Sequence, residues 1–294
     1  MHSIHNWEKQ SLLVKYHNFK ICYHSFGDSK EAILILHGLW QSSWHWQEII
    51  EALSAKYTVL SFDFIGSGLS AKPAIYDYNI DVQSDIAEDL LRLLSIEKVH
   101  IIGHDMGAIV AQDMVKRADM RRKMGRNIGT PIASVSFLNG AVGLNDFTWS
   151  GGFKLFVAKI LKNKWVNSLF GKTDFIDAIV KYWGNNPLPS QNLLNATAEL
   201  IDAKDGFRAF YQMMSPVLER DYHQPGRNKA LKATNVPHQL VAGDTNVRYP
   251  NAAAQYQSYF HKGKLVALEG VGYHPHLEQP KAVIQHILDF IKDK

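Results

Sequence analysis

The stretch His100–Gln112, HIIGHDMGAIVAQ, decides the reading of the chain. A run of apolar residues stops at Gly103. His104, Asp105, Met106 and Gly107 follow, and apolar residues then resume at helical spacing. The pattern is that of a buried strand turning sharply into a helix, with a carboxylate between two glycines. Two roles are open to Asp105. It can cap the helix through a backbone N–H, or it can be held out at the apex of a tight turn as a reactive group.

Outward from this turn the same alternation repeats. AILILHG (Ala32–Gly38), TVLSFDFIG, KVHIIGHD and ASVSFLNGA read as buried strands, each a continuous apolar run ending at glycine or polar residues. WHWQEIIEALSAKY, NIDVQSDIAEDLLRLLSI and AIVAQDMVKRA read as helices between or after them. SLLVKYHNFKICYHSFG reads as a hairpin ahead of them, and PHQLVAGD and GKLVALEG return to strand late in the chain. Strand and helix in alternation predict an α/β fold, a mostly parallel central sheet with helices on both faces. Reactive groups in such sheets gather at the carboxyl ends of the strands. From Asn145 to Asn228 the strand pattern stops and aromatic-rich helical spacing takes over. The sequence therefore predicts a core built from residues 1–144 and 229–294, with residues 145–228 inserted as a helical cap.

Composition narrows the functional classes. The 294 residues are 46% hydrophobic and 20% charged, with a formal net charge of +4, which suits a globular chain with a sizeable core. The densest basic run, Lys116–Arg126, has neither interleaved aromatics nor a nucleic-acid-binding module around it, so it reads as a solvated helix end and loop rather than a nucleic-acid site. Cys22 is the only cysteine, which excludes an internal disulfide and a cysteine metal site. The N-terminus lacks a basic region followed by an apolar core, and no apolar run approaches the ~18 residues of a membrane span. These features predict a soluble cytoplasmic protein with no membrane partner. They leave the oligomeric state open.

The residues that could carry chemistry follow the strands. G-x-D-x-G at Gly103–Gly107 is the glycine frame of a nucleophile elbow, with Asp where Ser is commonest. In that role the backbone N–H of Met106 faces the reacting group and can stabilise an oxyanion. LHGLW (Leu36–Trp40) follows an earlier strand and offers the N–H of Leu39 as a second donor. GVGYHPHLEQP (Gly270–Pro280) follows the last strand and carries His274, with His276 as a further candidate. The chain order is oxyanion loop, nucleophile, cap, acid position, histidine.

LHG, DFIGSGLSAKP (Asp63–Pro73), GHDMGA and PHLEQP together resemble the α/β-hydrolase fold family, in its aspartate-nucleophile branch of epoxide hydrolases and haloalkane dehalogenases. FLNGA (Phe137–Ala141) with the late histidine loop is similar to the mesoderm-specific-transcript-like subgroup. The resemblance spans nearly the whole chain. It implies that Asp105 attacks an electrophilic carbon to form an alkyl-enzyme ester, and that a histidine activates the water that hydrolyses it. It implies no metal and no organic cofactor.

Several positions depart from the family pattern. The family histidine follows the small residue directly, as G-H-x-P, whereas the order here is Gly272, Tyr273, His274, Pro275. His274 is the expected base if the loop absorbs one residue. The acid position after the next-to-last core strand, in GDTNVRY, holds Asn246, and the alternative after the fourth strand holds Asn139. Asp244 is an alternative partner two residues away. The tryptophan and asparagine with which dehalogenases hold halide are replaced by Met106 and Leu39, and Trp40 stands adjacent. The cap segment GFRAFYQMM resembles the helix that carries the epoxide hydrolases' acid tyrosine and puts Tyr211 at that place, with Tyr182 as a second tyrosine. A neutral phenol is a suitable proton donor. Residues Asp105, His274, Asn246 or Asp244, and Tyr211 are thus the expected catalytic set. Leu39, Trp40, Met106 and Tyr182 are the expected substrate wall. The expected substrate is a small apolar molecule, an epoxide before a haloalkane or haloacid. The two asparagines and the displaced histidine also allow a catalytically impaired fold that only binds a ligand.

Overall fold

Every strand expected from the sequence forms. In the computed structural model, which describes residues 2–126, 128–140, 142, 172–185, 187–204, 206–213, 220–246, 248–292 and 294, they make one eight-stranded sheet in the order β1-β2-β4-β3-β5-β6-β7-β8. β1 (Leu12–Tyr16) and β2 (Phe19–Phe26) are the hairpin, antiparallel to each other and, through β2, to β4 (Thr58–Phe62). β3 (Glu31–Leu36), β4, β5 (Lys98–His104), β6 (Ile132–Leu138), β7 (His238–Gly243) and β8 (Lys264–Leu268) run parallel. The parallel strands carry little polar alternation because helices cover both faces, so Ile33, Leu34, Ile35, Ile101 and Ile102 are all buried.

The helix Met106–Lys123 buries almost every residue as far as Val115 behind the sheet. Its basic end is not a free cationic patch. Arg117 pairs with Asp85 and Asp113, and Arg121 makes a two-pronged pair with Glu88 at 2.8 and 3.0 Å. Those acids, apart from Asp113, lie on the helix Ile80–Leu93, on the side that meets the helix Met106–Lys123; Asn79 caps it by accepting the N–H of Val82 at 2.8 Å.

Between β6 and β7 the described residues hold only helices: Lys172–Lys181, Gln191–Asp202, Gly206–Gln212 and Arg220–Ala233. The expected cap boundary at 228/229 falls inside the last of these. That helix lies along the core helix Met106–Lys123, where Gln224 donates to Gln112 at 2.8 Å. The expectations for 145–171 lie outside the described residues. A further contact ties the helix Gln191–Asp202 to the turn after β4. Lys72 is buried, and its ammonium donates to the carbonyls of Gly68, Leu200 and Ala203 at 2.7, 3.1 and 2.7 Å, the last two at the end of the helix Gln191–Asp202. Among the described residues no helix is long and apolar enough to cross a membrane.

Candidate active site

The ends of five parallel strands meet at one edge of the sheet. After β3 come His37, Gly38 and Leu39; after β5, Asp105; after β6, Asn139; after β7, Asn246 and Arg248; after β8, Tyr273 and His274. Asp105 does not cap the helix behind it, since its side chain makes no capping hydrogen bond. Its backbone sits at φ 52°, ψ −113°, a region non-glycine residues rarely enter, as expected of a side chain held out from a tight turn. Gly107 makes the turn fit: a Cβ there would lie 2.0 Å from the Leu36 carbonyl oxygen. Gly38 brings the β3 loop over the turn, since a Cβ on it would stand 3.1 Å from that of Asp105 and 2.8 Å from Nδ1 of His104.

The carboxylate of Asp105 has two distinct oxygens. Oδ2 accepts the Leu39 N–H at 3.1 Å, and Oδ1 accepts the hydroxyl of Tyr273. Met106 is the first residue of the following helix, so its N–H has no acceptor within that helix. The β3 loop is stiffened by His37. Its Nε2 accepts the Phe64 N–H at 2.9 Å, which leaves Nδ1 to carry the proton donated to the Gly38 carbonyl at 2.7 Å. Burial by itself would raise the Asp105 pKa. The Arg248 cation, His104, the Tyr273 hydroxyl and the Leu39 N–H outweigh it and hold the carboxyl below its ordinary value. Asp105 is therefore anionic at neutral pH.

Tyr273, not His274, stands against Asp105. The loop after β8 has no slack to slide by one residue. Glu278 accepts the N–H groups of Gly184, Gly272 and His274 at 2.9, 2.8 and 2.9 Å. Asn139 donates to the carbonyls of Gly272 and Tyr273 at 2.9 and 3.0 Å, and His104 Nε2 donates to the Tyr273 carbonyl at 2.9 Å. With its neighbours pinned, Tyr273 occupies the place where the family pattern has histidine. His274 is fully buried. Its ring packs edge-on to Trp40 at 4.9 Å and near His104 at 5.6 Å, and neither ring nitrogen has a hydrogen-bond partner among the described residues. Burial, then His104 and Arg248, push its pKa well below the ordinary histidine value, so it is neutral. His276 stacks on Trp46 at 4.1 Å and meets Gln41 at 3.0 Å.

The acid positions are filled by an amide pair. Asn246 donates to the Asn139 oxygen at 3.1 Å, and its own oxygen accepts the N–H groups of Arg248 and Tyr249 at 3.1 and 3.3 Å. Asp244 is exposed and accepts the Gly270 N–H at 2.8 Å, a turn contact at the rim. Among the described residues neither amide hydrogen-bonds a histidine. Tyr182 joins the wall: its carbonyl accepts the Tyr273 N–H at 2.8 Å, and its ring faces Arg248. Trp40 closes another side through His274 and His45. Leu39 and Met106 are buried at the turn and present no side-chain donor. Tyr211 lies on the helix Gly206–Gln212, and its side chain is outside the described residues.

Sequence reasoning missed Tyr273, Arg248 and Glu278. Tyr273 was findable, because it holds the family's histidine register. Glu278 was findable from its spacing four residues past His274. Arg248 carries no local signal. Its guanidinium lies 5.3, 5.6 and 5.2 Å from the ring centres of Tyr182, Tyr249 and Tyr273, an aromatic cage assembled from three separate segments. Among the described residues no group of three or more His, Cys, Asp or Glu side chains is arranged to hold a metal ion.

The strand order and this edge define an α/β hydrolase. The alpha/beta hydrolase family profile matches residues 33–286, and the chain belongs to that family. It is 26% identical over 303 residues to the mesoderm-specific transcript protein of Mus musculus, covering 98% of this chain and 88% of that one. Among solved structures it is similar to the epoxide hydrolase VrEH1 of Vigna radiata, with a TM-score of 0.75, 18% identity, and 97% and 98% of the two chains covered. It is as similar to a bromoperoxidase of Bacillus anthracis, with a TM-score of 0.76, 18% identity, and 96% and 100% covered. Structural likeness at this identity establishes the fold, and with the family it makes the chain a hydrolase of the α/β-hydrolase type.

Proposed function

We propose that this hydrolase uses Asp105 as a nucleophile on the electrophilic carbon of a small apolar substrate, with an epoxide favoured. The observation that carries this reading is the carboxylate itself. It is buried, anionic and held at an unfavourable backbone geometry, with Oδ2 seated on the Leu39 N–H. That leaves Oδ1 to attack. Once the ester forms, Oδ2 is its carbonyl oxygen and already lies where the N–H groups of Leu39 and Met106 can stabilise the oxyanion of ester hydrolysis. A serine-esterase reading has no serine or cysteine at the elbow to support it.

Epoxide chemistry is favoured over halide release by what surrounds Oδ1. A departing halide needs hydrogen-bond donors, and the side chains of Leu39 and Met106 supply none. A departing alkoxide needs a proton, and the Tyr273 phenol on the attacking oxygen can supply one through a bridging water. The test is a panel of small epoxides and haloalkanes, with intact-protein mass and product followed together. The reading expects a diol product from at least one epoxide and a covalent adduct on the peptide containing Asp105, both absent in Asp105→Asn. Diol formation that survives Asp105→Asn, or neither adduct nor product across the panel, contradicts it.

A further inference from the structure

The geometry points to Tyr273, with Arg248 beside it, as the proton-transfer centre of the site: the phenol protonates the opening epoxide oxygen, and the resulting tyrosinate is the base for ester hydrolysis. This rests on the reading of Asp105 as nucleophile. It gives the roles of an acid and of a histidine base to one side chain.

Position comes first. The Tyr273 hydroxyl is on Oδ1 of Asp105, the attacking side; the epoxide oxygen leaves from the far face of the carbon, so the phenol proton reaches it through one bridging water. The side chain is buried, and its backbone is held on both sides, by Tyr182 at the N–H and by Asn139 and His104 at the carbonyl.

Charge comes second. A histidine base becomes a cation and needs a carboxylate behind it. A phenol acting as donor and then base passes between neutral and anionic, so a carboxylate behind it would oppose the reaction. Both acid positions here hold neutral amides bonded to each other, Asn139 and Asn246, and a guanidinium faces the phenol ring at 5.2 Å. The other titratable groups around the ring are Asp105, His104, Tyr182, Tyr249 and His274. The carboxylate of Glu278 beneath the loop is engaged by three backbone N–H groups.

The third observation is that the reaction itself switches the phenol. In the resting site burial, then the Asp105 anion, raise its pKa, so it holds its proton and can donate it. Esterification removes the charge of Asp105. The phenol then faces Arg248 without the opposing carboxylate, and its anion is favoured at the moment a base is required.

The steps balance. Oδ1 forms a bond to the epoxide carbon as that carbon's ring C–O bond breaks. The electron pair goes to the ring oxygen, which takes a proton from a bridging water as that water takes the Tyr273 proton. This leaves a hydroxyalkyl ester and a tyrosinate. The tyrosinate removes a proton from water, and the hydroxide adds to Cγ of Asp105. The oxyanion collapses, the bond from Cγ to the alkyl-bearing oxygen breaks, and that oxygen takes the proton of the added hydroxyl. The diol leaves, and the carboxylate and phenol are restored. The sum is epoxide plus water to diol.

Two probes separate the steps. Styrene oxide needs a proton to open, whereas 1-iodobutane loses iodide without one. With wild-type protein both should esterify Asp105 and both esters should be hydrolysed, the butyl ester after the Tyr273 phenol, no longer facing the Asp105 anion, gives its proton to solvent. In Tyr273→Phe, esterification by styrene oxide should slow by on the order of 10²–10⁴-fold. 1-Iodobutane should still esterify Asp105, which also reports a folded site, and that ester should persist. Arg248 acts through Tyr273 as a positioning residue, so Arg248→Gln should move the rise of butyl-ester hydrolysis to higher pH. Opening of styrene oxide by Tyr273→Phe at the wild-type rate overturns the assignment. So does butyl-ester hydrolysis that survives Tyr273→Phe but is lost in His274→Gln. Wild-type protein that esterifies Asp105 with neither probe refutes the nucleophile reading itself, an outcome distinct from both.

Discussion

Asn139→Asp changes one side-chain group at the residue that holds Tyr273 in place. Asn139 is fully buried. Its Nδ2 donates to two carbonyls, those of Gly272 and Tyr273, and its oxygen accepts from Gly243 at 3.3 Å and from Asn246. An aspartate keeps the shape and the acceptor but replaces the donor with an oxygen facing two carbonyl oxygens. His104 still donates to the Tyr273 carbonyl, so one buried carbonyl, that of Gly272, is left unsatisfied, a cost of about 1–3 kcal/mol at neutral pH. Burial raises the pKa of a carboxyl placed there, and a protonated carboxyl can return one donated bond. The loss relative to wild type at the same pH should therefore be smaller in mild acid. Urea unfolding followed by tryptophan fluorescence at pH 7.5 and pH 5.5 measures both values. Although the substitution puts a carboxylate at a family acid position, turnover should fall, because the Tyr273 backbone loses one anchor and the phenol gains an anion nearby. Wild-type stability at pH 7.5, or a loss that does not shrink at pH 5.5, would refute this account of Asn139.

Acid should unfold the protein early. Burial lowers the pKa of His45 to about 3 and those of His104 and His238 to about 4, against ~6.5 in an unfolded chain. Between those values the unfolded chain binds protons that the folded one does not. Stability is therefore full above pH ~6.5 and declines as pH falls toward 4, by about 1.4 kcal/mol per pH unit for each histidine. Urea midpoints across pH 7.5 to 4.5 check the slope, and a flat profile contradicts it. Gly107→Ala puts a methyl 2.0 Å from the Leu36 carbonyl oxygen and should cost more than ~3 kcal/mol or prevent soluble expression; thermal unfolding of any soluble fraction decides. Lys72→Met removes three bonds from an ammonium to carbonyls and should loosen the helix Gln191–Asp202 by about 2–4 kcal/mol, read as faster amide exchange at Leu200–Lys204 without comparable change in β3 or β5.

The fold was legible because its signals are local. The apolar runs at Ala32–Leu36 and Val99–Ile102 admit only buried parallel strands, and the glycines around Asp105 mark a turn no bulky neighbour could enter. The acid positions were legible for the same reason, since Asn139 and Asn246 each follow a strand end. The partner of Asp105 was not. The charge pattern of a familiar triad favours a histidine, and sliding a loop by one residue costs little in a free chain. What forbids the slide is long-range: Glu278 and Asn139 hold four backbone groups of residues 272–274, from elements on either side of the loop. Arg248 was illegible for a related reason, because its aromatic cage exists only after the turns following β7 and β8 and the segment at Tyr182 have met.

The most direct test of the central claim is to follow solvent oxygen through one turnover. With enzyme in excess over styrene oxide in ¹⁸O-water, the diol should leave with an oxygen from Asp105, and the peptide containing Asp105 should gain one ¹⁸O. Label in the diol with none in that peptide would mean that water attacks the substrate directly, and would contradict an ester on Asp105.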